Sequence, residues 1–131
     1  MLLTAITVFN FGCFDRVAFG FRAARATHAD CAARSSNGPF VNDASGAPVA
    51  VQGEAFIVVR CSPASAFDFA NGVATFSRNR ISVSGTNHVT EVVKLGDNEG
   101  VLSWVIGLDT TRPFNIVNVD RRAPITFVVV Y

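Results

Sequence analysis

The feature that most constrains this chain is its division into short apolar segments separated by clusters of glycine, proline, asparagine and aspartate. The segments are rich in valine, isoleucine, phenylalanine and threonine, which favour extended backbone, whereas the clusters favour turns. From Val17 to Phe21 every second side chain is large and apolar. That period of two is typical of a half-buried strand. The sequence therefore predicts an all-β fold.

The boundaries of the predicted strands follow from these breaks. Residues 10–13 are predicted as the turn of a first hairpin, and residues 96–100, bracketed by glycines, as the loop of another. The segments that favour strands lie at residues 2–9, 14–21, 39–41, 49–51, 55–61, 89–95, 101–108, 114–119 and 125–130, with a further short one at 73–76. Short strands of this number close most readily as a two-sheet sandwich or a small barrel.

Residues 22–34 do not follow the strand pattern. Their many alanines favour a helix on intrinsic propensity. They carry no apolar stripe at helical spacing, so nothing large would dock such a helix on a core. A short helix and an irregular crossover both remain open.

Length and composition limit the classes of protein to which the chain can belong. The 131 residues fit one domain spanning 1–131. With 50% hydrophobic and 16% charged residues, extended disorder is excluded. A formal net charge of +1 gives no electrostatic case for nucleic acid as a partner. No apolar run reaches the ~18 residues of a transmembrane helix.

No motif for catalysis is present: the nucleophile elbow, the Ser-x-x-Lys pair, the zinc-protease helix and the phosphate loop are all missing. His28 and His88 are the only histidines, and both are expected to be solvated loop-edge residues. Asp97 and Glu99 share one loop, and such neighbours rarely face each other across a substrate. We expect no enzyme, no catalytic residue and no cofactor.

Three cysteines allow one intrachain disulfide, leaving one thiol over. A bridge between Cys31 and Cys61 is favoured if the protein is exported and disfavoured in a reducing compartment. The residues alone leave both outcomes open. A zinc site built from His28, Asp30, Cys31 and another cysteine is disfavoured because no Cys-x-x-Cys pair supports it.

Four residues are candidates for ligand binding. Trp104 is the obvious aromatic platform, although its alternation with apolar neighbours favours the core. Asp15 shares a face with Val17 and is expected at the sheet edge beside the turn. Arg16 faces outward beside small residues, on an open strip where a ligand or partner could bind. Arg112 either caps its loop or donates to a ligand.

Five ordered blocks resemble the actinobacterial AMIN-like domain family. They cover nearly the whole chain, which makes the resemblance specific where any one block would be weak. The blocks are FDRVAF at 14–19; GPFV at 38–41 with SGAPV at 45–49; AFIVVRCSP at 55–63; VTEVVKLGD at 89–97 with EGVL at 99–102; and WVIGLD at 104–109 with RPF at 112–114.

This resemblance implies an AMIN-type β-sandwich of about seven to nine short, mostly antiparallel strands, in a protein exported to the cell envelope. The targeting segment would not be present in this chain. The implied function is non-catalytic localisation, through cell-wall glycan (peptidoglycan) or an envelope protein. The alternative is a diverged or engineered structural β-domain without a small-molecule ligand. It would form a homodimer through an exposed edge, because residues 125–131 are β-formers without charge.

Overall fold

The computed structural model describes residues 1–22 and 30–131, and strands and turns form all of its regular structure. The bounds of the strands are β1 (Leu2–Asn10), β2 (Asp15–Arg22), β3 (Asp30–Ser36), β4 (Phe40–Val41), β5 (Pro48–Val49), β6 (Ala55–Ser62), β7 (Phe67–Asp68), β8 (Val73–Ala74), β9 (Arg80–Ser82), β10 (Val89–Asn98), β11 (Val101–Leu108), β12 (Phe114–Val119) and β13 (Ile125–Val130). The predicted all-β fold is confirmed.

Two antiparallel sheets form the layers of a β-sandwich. The first has the order β1-β2-β13-β12 and the second the order β3-β6-β11-β10-β9, while β4-β5 and β7-β8 are separate hairpins. Their facing sides share one apolar cluster, in which Phe19 of the first sheet and Trp104 of the second are among the largest fully buried side chains. The alternate apolar residues from Val17 to Phe21 therefore face the core, as predicted for a half-buried strand.

A second, smaller apolar cluster lies on the outer side of the five-stranded sheet. The segment containing β4 and β5 lies over this side and places Phe40, Val49 and Val51 against the strands. Gly107 is required there, because a Cβ at this position would collide with the carbonyl oxygen of Gln52. Strand β11 is consequently buried on both faces, with Trp104 in the main cluster and Val105 in the second one.

Two expectations from the sequence are wrong. Residues 30–34 lie in β3, paired with β6, and are neither helix nor irregular crossover. The part of that question concerning residues 23–29 lies outside the described residues. The run at 125–131 is not an edge, since β13 lies between β2 and β12. Among the described strands, the edges of this sheet are β1 and β12.

Within the described residues, no helix is long and apolar enough to cross a bilayer.

Candidate functional site

Asp15 is fully buried and joins the two sheets. Its Oδ1 accepts the backbone N–H of Asn87 at 2.9 Å, and its Oδ2 accepts those of His88 and Val89 at 2.6 and 2.8 Å. Val89 begins β10, so this carboxylate of the first sheet fixes where a strand of the second sheet begins. The expectation of an edge residue available to a ligand is wrong: Asp15 is fully buried and accepts three backbone N–H groups at and just before the start of β10.

Arg16 points to the opposite side, the outer face of the four-stranded sheet. It is half-buried, and its guanidinium carbon lies 4.5 Å from the ring centre of Phe127, 4.7 Å from that of Phe11 and 5.4 Å from that of Phe9. Each such cation–π contact contributes about 0.5–2 kcal/mol, the larger figure applying when water is excluded. We call these four residues the arginine–aromatic patch.

Around this patch the face is nearly uncharged. Strand pairing places three rows of side chains on it, each read from β1 to β12: Phe9, Arg16, Val129 and Asn115; Thr7, Ala18, Phe127 and Val117; and Ala5, Gly20, Ile125 and Val119. None of these residues belongs to either apolar cluster of the described chain. Arg16 is the only charge among the twelve, and the open strip predicted beside it at Ala18 and Gly20 is present.

The patch continues into an aromatic row at the hairpin end of the sheet. The ring of Phe11 stacks on that of Phe14 at 5.1 Å, and Phe14 lies 6.2 Å from Tyr131. Phe9, Phe11 and Tyr131 are 41%, 44% and 46% exposed, which is high for such large apolar rings. Of these three, Phe9 could have been placed by hairpin pairing, since it stands directly opposite Arg16.

Trp104 does not lie at the surface, as an aromatic platform for a ligand would. It is 1% exposed and packs edge-on against Phe76 at 5.9 Å inside the main cluster. Its indole N–H has no hydrogen-bond partner among the described residues. The alternative interpretation, core packing, is confirmed, and the side chain cannot reach a ligand on the surface.

Arg112 lies in the loop after β11 and pairs with Asp109. Its Nε and Nη2 lie 3.4 and 3.2 Å from the two carboxylate oxygens of Asp109, and His88 Nδ1 lies 3.5 Å from one of them. The hydrogen bond from Arg112, above all, lowers the pKa of Asp109 below its ordinary value. The structure thus places Arg112 in a loop-capping pair, separate from Arg16.

We predict that Arg112→Ala raises the pKa of Asp109 toward its ordinary value. A depressed carboxylate pKa stabilises the fold above the unfolded-state pKa, and this contribution disappears as pH falls through the folded-state pKa. The variant should therefore lose less than about 1 kcal/mol at neutral pH, and nothing at strongly acid pH. An NMR titration of the Asp109 carboxyl carbon measures the shift directly. An unchanged pKa would contradict the assigned pair.

The cysteines take the arrangement that an exported protein favours. Cys31 and Cys61 form a disulfide between β3 and β6, and Cys13 is exposed with a free thiol. Cys31 and Cys61 are thereby unavailable as zinc ligands. His28, a further candidate ligand, lies outside the described residues. No group of metal-ligating side chains is found among the residues that the structure describes.

Asp97 has a structural use that the sequence did not reveal. One of its carboxylate oxygens accepts Ser65 Oγ at 3.0 Å and the backbone N–H of Ala66 at 2.8 Å. With Glu99 and Phe69 it borders a groove of about 380 Å³. Because Asp97 holds the neighbouring loop, it is a poor partner for Glu99 in acid–base chemistry.

The comparison with protein families gives one result. The model of the AMIN-like domain matches residues 1–130. No curated protein and no solved structure matches the chain. AMIN-like domains are found in exported envelope proteins and are generally non-catalytic binding modules. Since the match covers nearly every residue, the chain belongs to the AMIN-like domain family.

Proposed function

We propose that this protein is a non-catalytic module of the cell envelope that binds peptidoglycan through the arginine–aromatic patch. Export to the envelope is part of the proposal. Membership of the AMIN-like family supports the envelope setting, and the accessible face around Arg16 supports the place of binding. Of the four residues expected from sequence to bind ligand, Arg16 is the one we retain.

A single observation carries this proposal: a half-buried cation without a counter-charge. Among the described residues no carboxylate lies within 4 Å of the Arg16 guanidinium, and none of its nitrogens has a hydrogen-bond partner. Arginine in such surroundings is usually paired, because removing its charge from water is costly. Aromatic rings beside a fixed hydrogen-bonding group are the usual elements of a binding site.

Three of the described carboxylates have structural partners, which supports a non-catalytic role. Asp15 and Asp97 are bonded to backbone N–H groups, and Asp109 is paired with Arg112. General acid–base catalysis needs such a group to be free to exchange a proton with a substrate. Each of the three instead holds a loop or strand in place.

The experiment is retention on purified insoluble peptidoglycan, comparing the parent with Arg16→Ala. A charge-assisted hydrogen bond contributes about 1.5–3 kcal/mol, so the affinity should fall about tenfold or more. Arg78→Ala is the matched control, because Arg78 is exposed and its substitution removes the same charge from another part of the surface. Equal retention of the parent and both variants would place the site away from the patch.

Absence of retention for all three proteins would reject peptidoglycan as the ligand. The competing function is then self-association, for which β12 offers the exposed edge of the four-stranded sheet. Sedimentation equilibrium distinguishes this outcome, because a self-associating domain gains mass as its concentration rises.

A further inference from the structure

We infer that Arg16 recognises a carboxylate flanked by small aliphatic side chains, so that the module reads the peptide portion of peptidoglycan and not its sugars. This inference rests on the proposed function and names the chemical group bound at the same site.

The rings fix the guanidinium from both neighbouring strands. Phe9 lies across from Arg16 on β1, and Phe127 lies diagonally across on β13. Phe11, in the turn between β1 and β2, adds the third ring at 4.7 Å. A guanidinium held in this way has already lost most of its rotamer freedom, so a ligand does not bear that entropic cost on binding.

Only one edge of the guanidinium is open. Nε is sealed from solvent without a hydrogen-bond partner. The two terminal Nη atoms have no partner either, but they are not among the buried atoms, so they reach the surface. The open edge therefore presents two N–H groups side by side.

A planar two-oxygen anion fits two parallel N–H groups. Arginine and carboxylate form such paired bonds, about twice as strong as bonds between neutral groups, so a sugar hydroxyl would gain much less. The surrounding rings exclude water and strengthen the charged pair further. A phosphate exposes more acceptor oxygens than one guanidinium edge satisfies, and no second cation stands among the twelve residues of the three rows.

The flanking surface selects what stands beside the carboxylate. Ala18 and Gly20 follow Arg16 along β2 and leave a shallow strip bordered by Phe127 and Ile125 on β13. This strip has no charge and no bulk of its own, so it accommodates methyl-sized groups in contact with apolar surface. An extended peptide with alanine side chains beside a free carboxylate matches both features, as do the stem peptides of peptidoglycan.

The test is an NMR titration with N-acetyl-D-alanyl-D-alanine and with its C-terminal amide, which differ only at the carboxylate. We expect the acid to shift the amide resonances of residues 16–20 and 125–129, and the C-terminal amide to bind about tenfold more weakly. Arg16→Ala should remove the difference between the two ligands. Arg16→Lys should retain only part of it, because an ammonium lacks the planar fork.

Two further probes allow the inference to be overturned separately from the proposed function. Insoluble chitin, a polymer of N-acetylglucosamine that carries no carboxylate, should not retain the protein; retention equal to that on intact peptidoglycan would reject carboxylate recognition while leaving the proposed function intact. Displacement of the acid by an equal concentration of inorganic phosphate would assign the patch to anions in general, which also overturns the inference. Retention by neither polymer, with no acid binding, rejects both proposals. The fluorescence of Trp104 verifies that each variant is folded.

Discussion

Replacing Asp15 with alanine is expected to lower the free energy of unfolding by about 4 kcal/mol. The substitution removes a fully buried charged acceptor from the backbone N–H groups of Asn87, His88 and Val89, and Val89 is itself buried. Hydrogen bonds to a charged group contribute about 1.5–3 kcal/mol, and each buried group left unsatisfied costs about 1–3 kcal/mol. The site lies between the sheets, so their relaxation recovers only part of that loss.

Urea unfolding, followed by the fluorescence of the single tryptophan, measures this loss. Trp104 lies in the shared core and therefore reports on both sheets at once. Asp15→Asn keeps the shape and one acceptor oxygen, so an intermediate loss of about 2 kcal/mol is expected. Asp30→Ala, which removes an exposed carboxylate, is the control. A loss below about 1 kcal/mol in Asp15→Ala would contradict the role assigned to this carboxylate.

Asp15 also shows how far the sequence alone could lead. Its parity with Val17 placed it correctly on the inner face of β2, because alternation is a local property of a strand. Its partners are residues 87–89, more than 70 positions away. Pairing at that separation depends on how the two sheets stack, which no local pattern specifies. The same carboxylate was therefore expected at an exposed edge.

Strand β3 was missed for a related reason. Its residues are mostly alanine, serine and arginine, which have little preference for strands. Tertiary pairing with β6 and the disulfide at Cys31 determine its conformation. Intrinsic propensity is overridden where the neighbouring strand supplies the partners.

The candidate site was predicted in part. Alternation placed Arg16, Ala18 and Gly20 together on an outward face, and their pairing with β1 and β13 confirms it. Phe127 could not be placed, because valine occupies both faces of β13 and obscures the period of two. Hairpin pairing could have placed Phe9, but Phe127 became evident beside Arg16 only from the register of β13 against β2.

The disulfide gives the second large effect. Replacing both Cys31 and Cys61 with alanine is expected to lower the free energy of unfolding by about 3.5 kcal/mol, since the bridge closes a loop with a sequence separation of 30 and restricts the unfolded chain. The comparison is made by urea unfolding in a Cys13→Ser background, which prevents exchange with the exposed thiol. Reduction of the parent should reproduce the loss, and the Cys13→Ser variant alone should show none.

The size of that loss also bears on where the domain works. The bridge holds β3 against β6, and Asn118 of β12 donates to the carbonyl of Cys31 at 3.0 Å, so this edge also joins the two sheets. A domain that depends on the bridge by several kcal/mol is suited to an oxidising envelope, where disulfides persist. If the free energy of unfolding falls by less than about 1 kcal/mol, the sandwich is stable without its disulfide. The disulfide would then give no support to export.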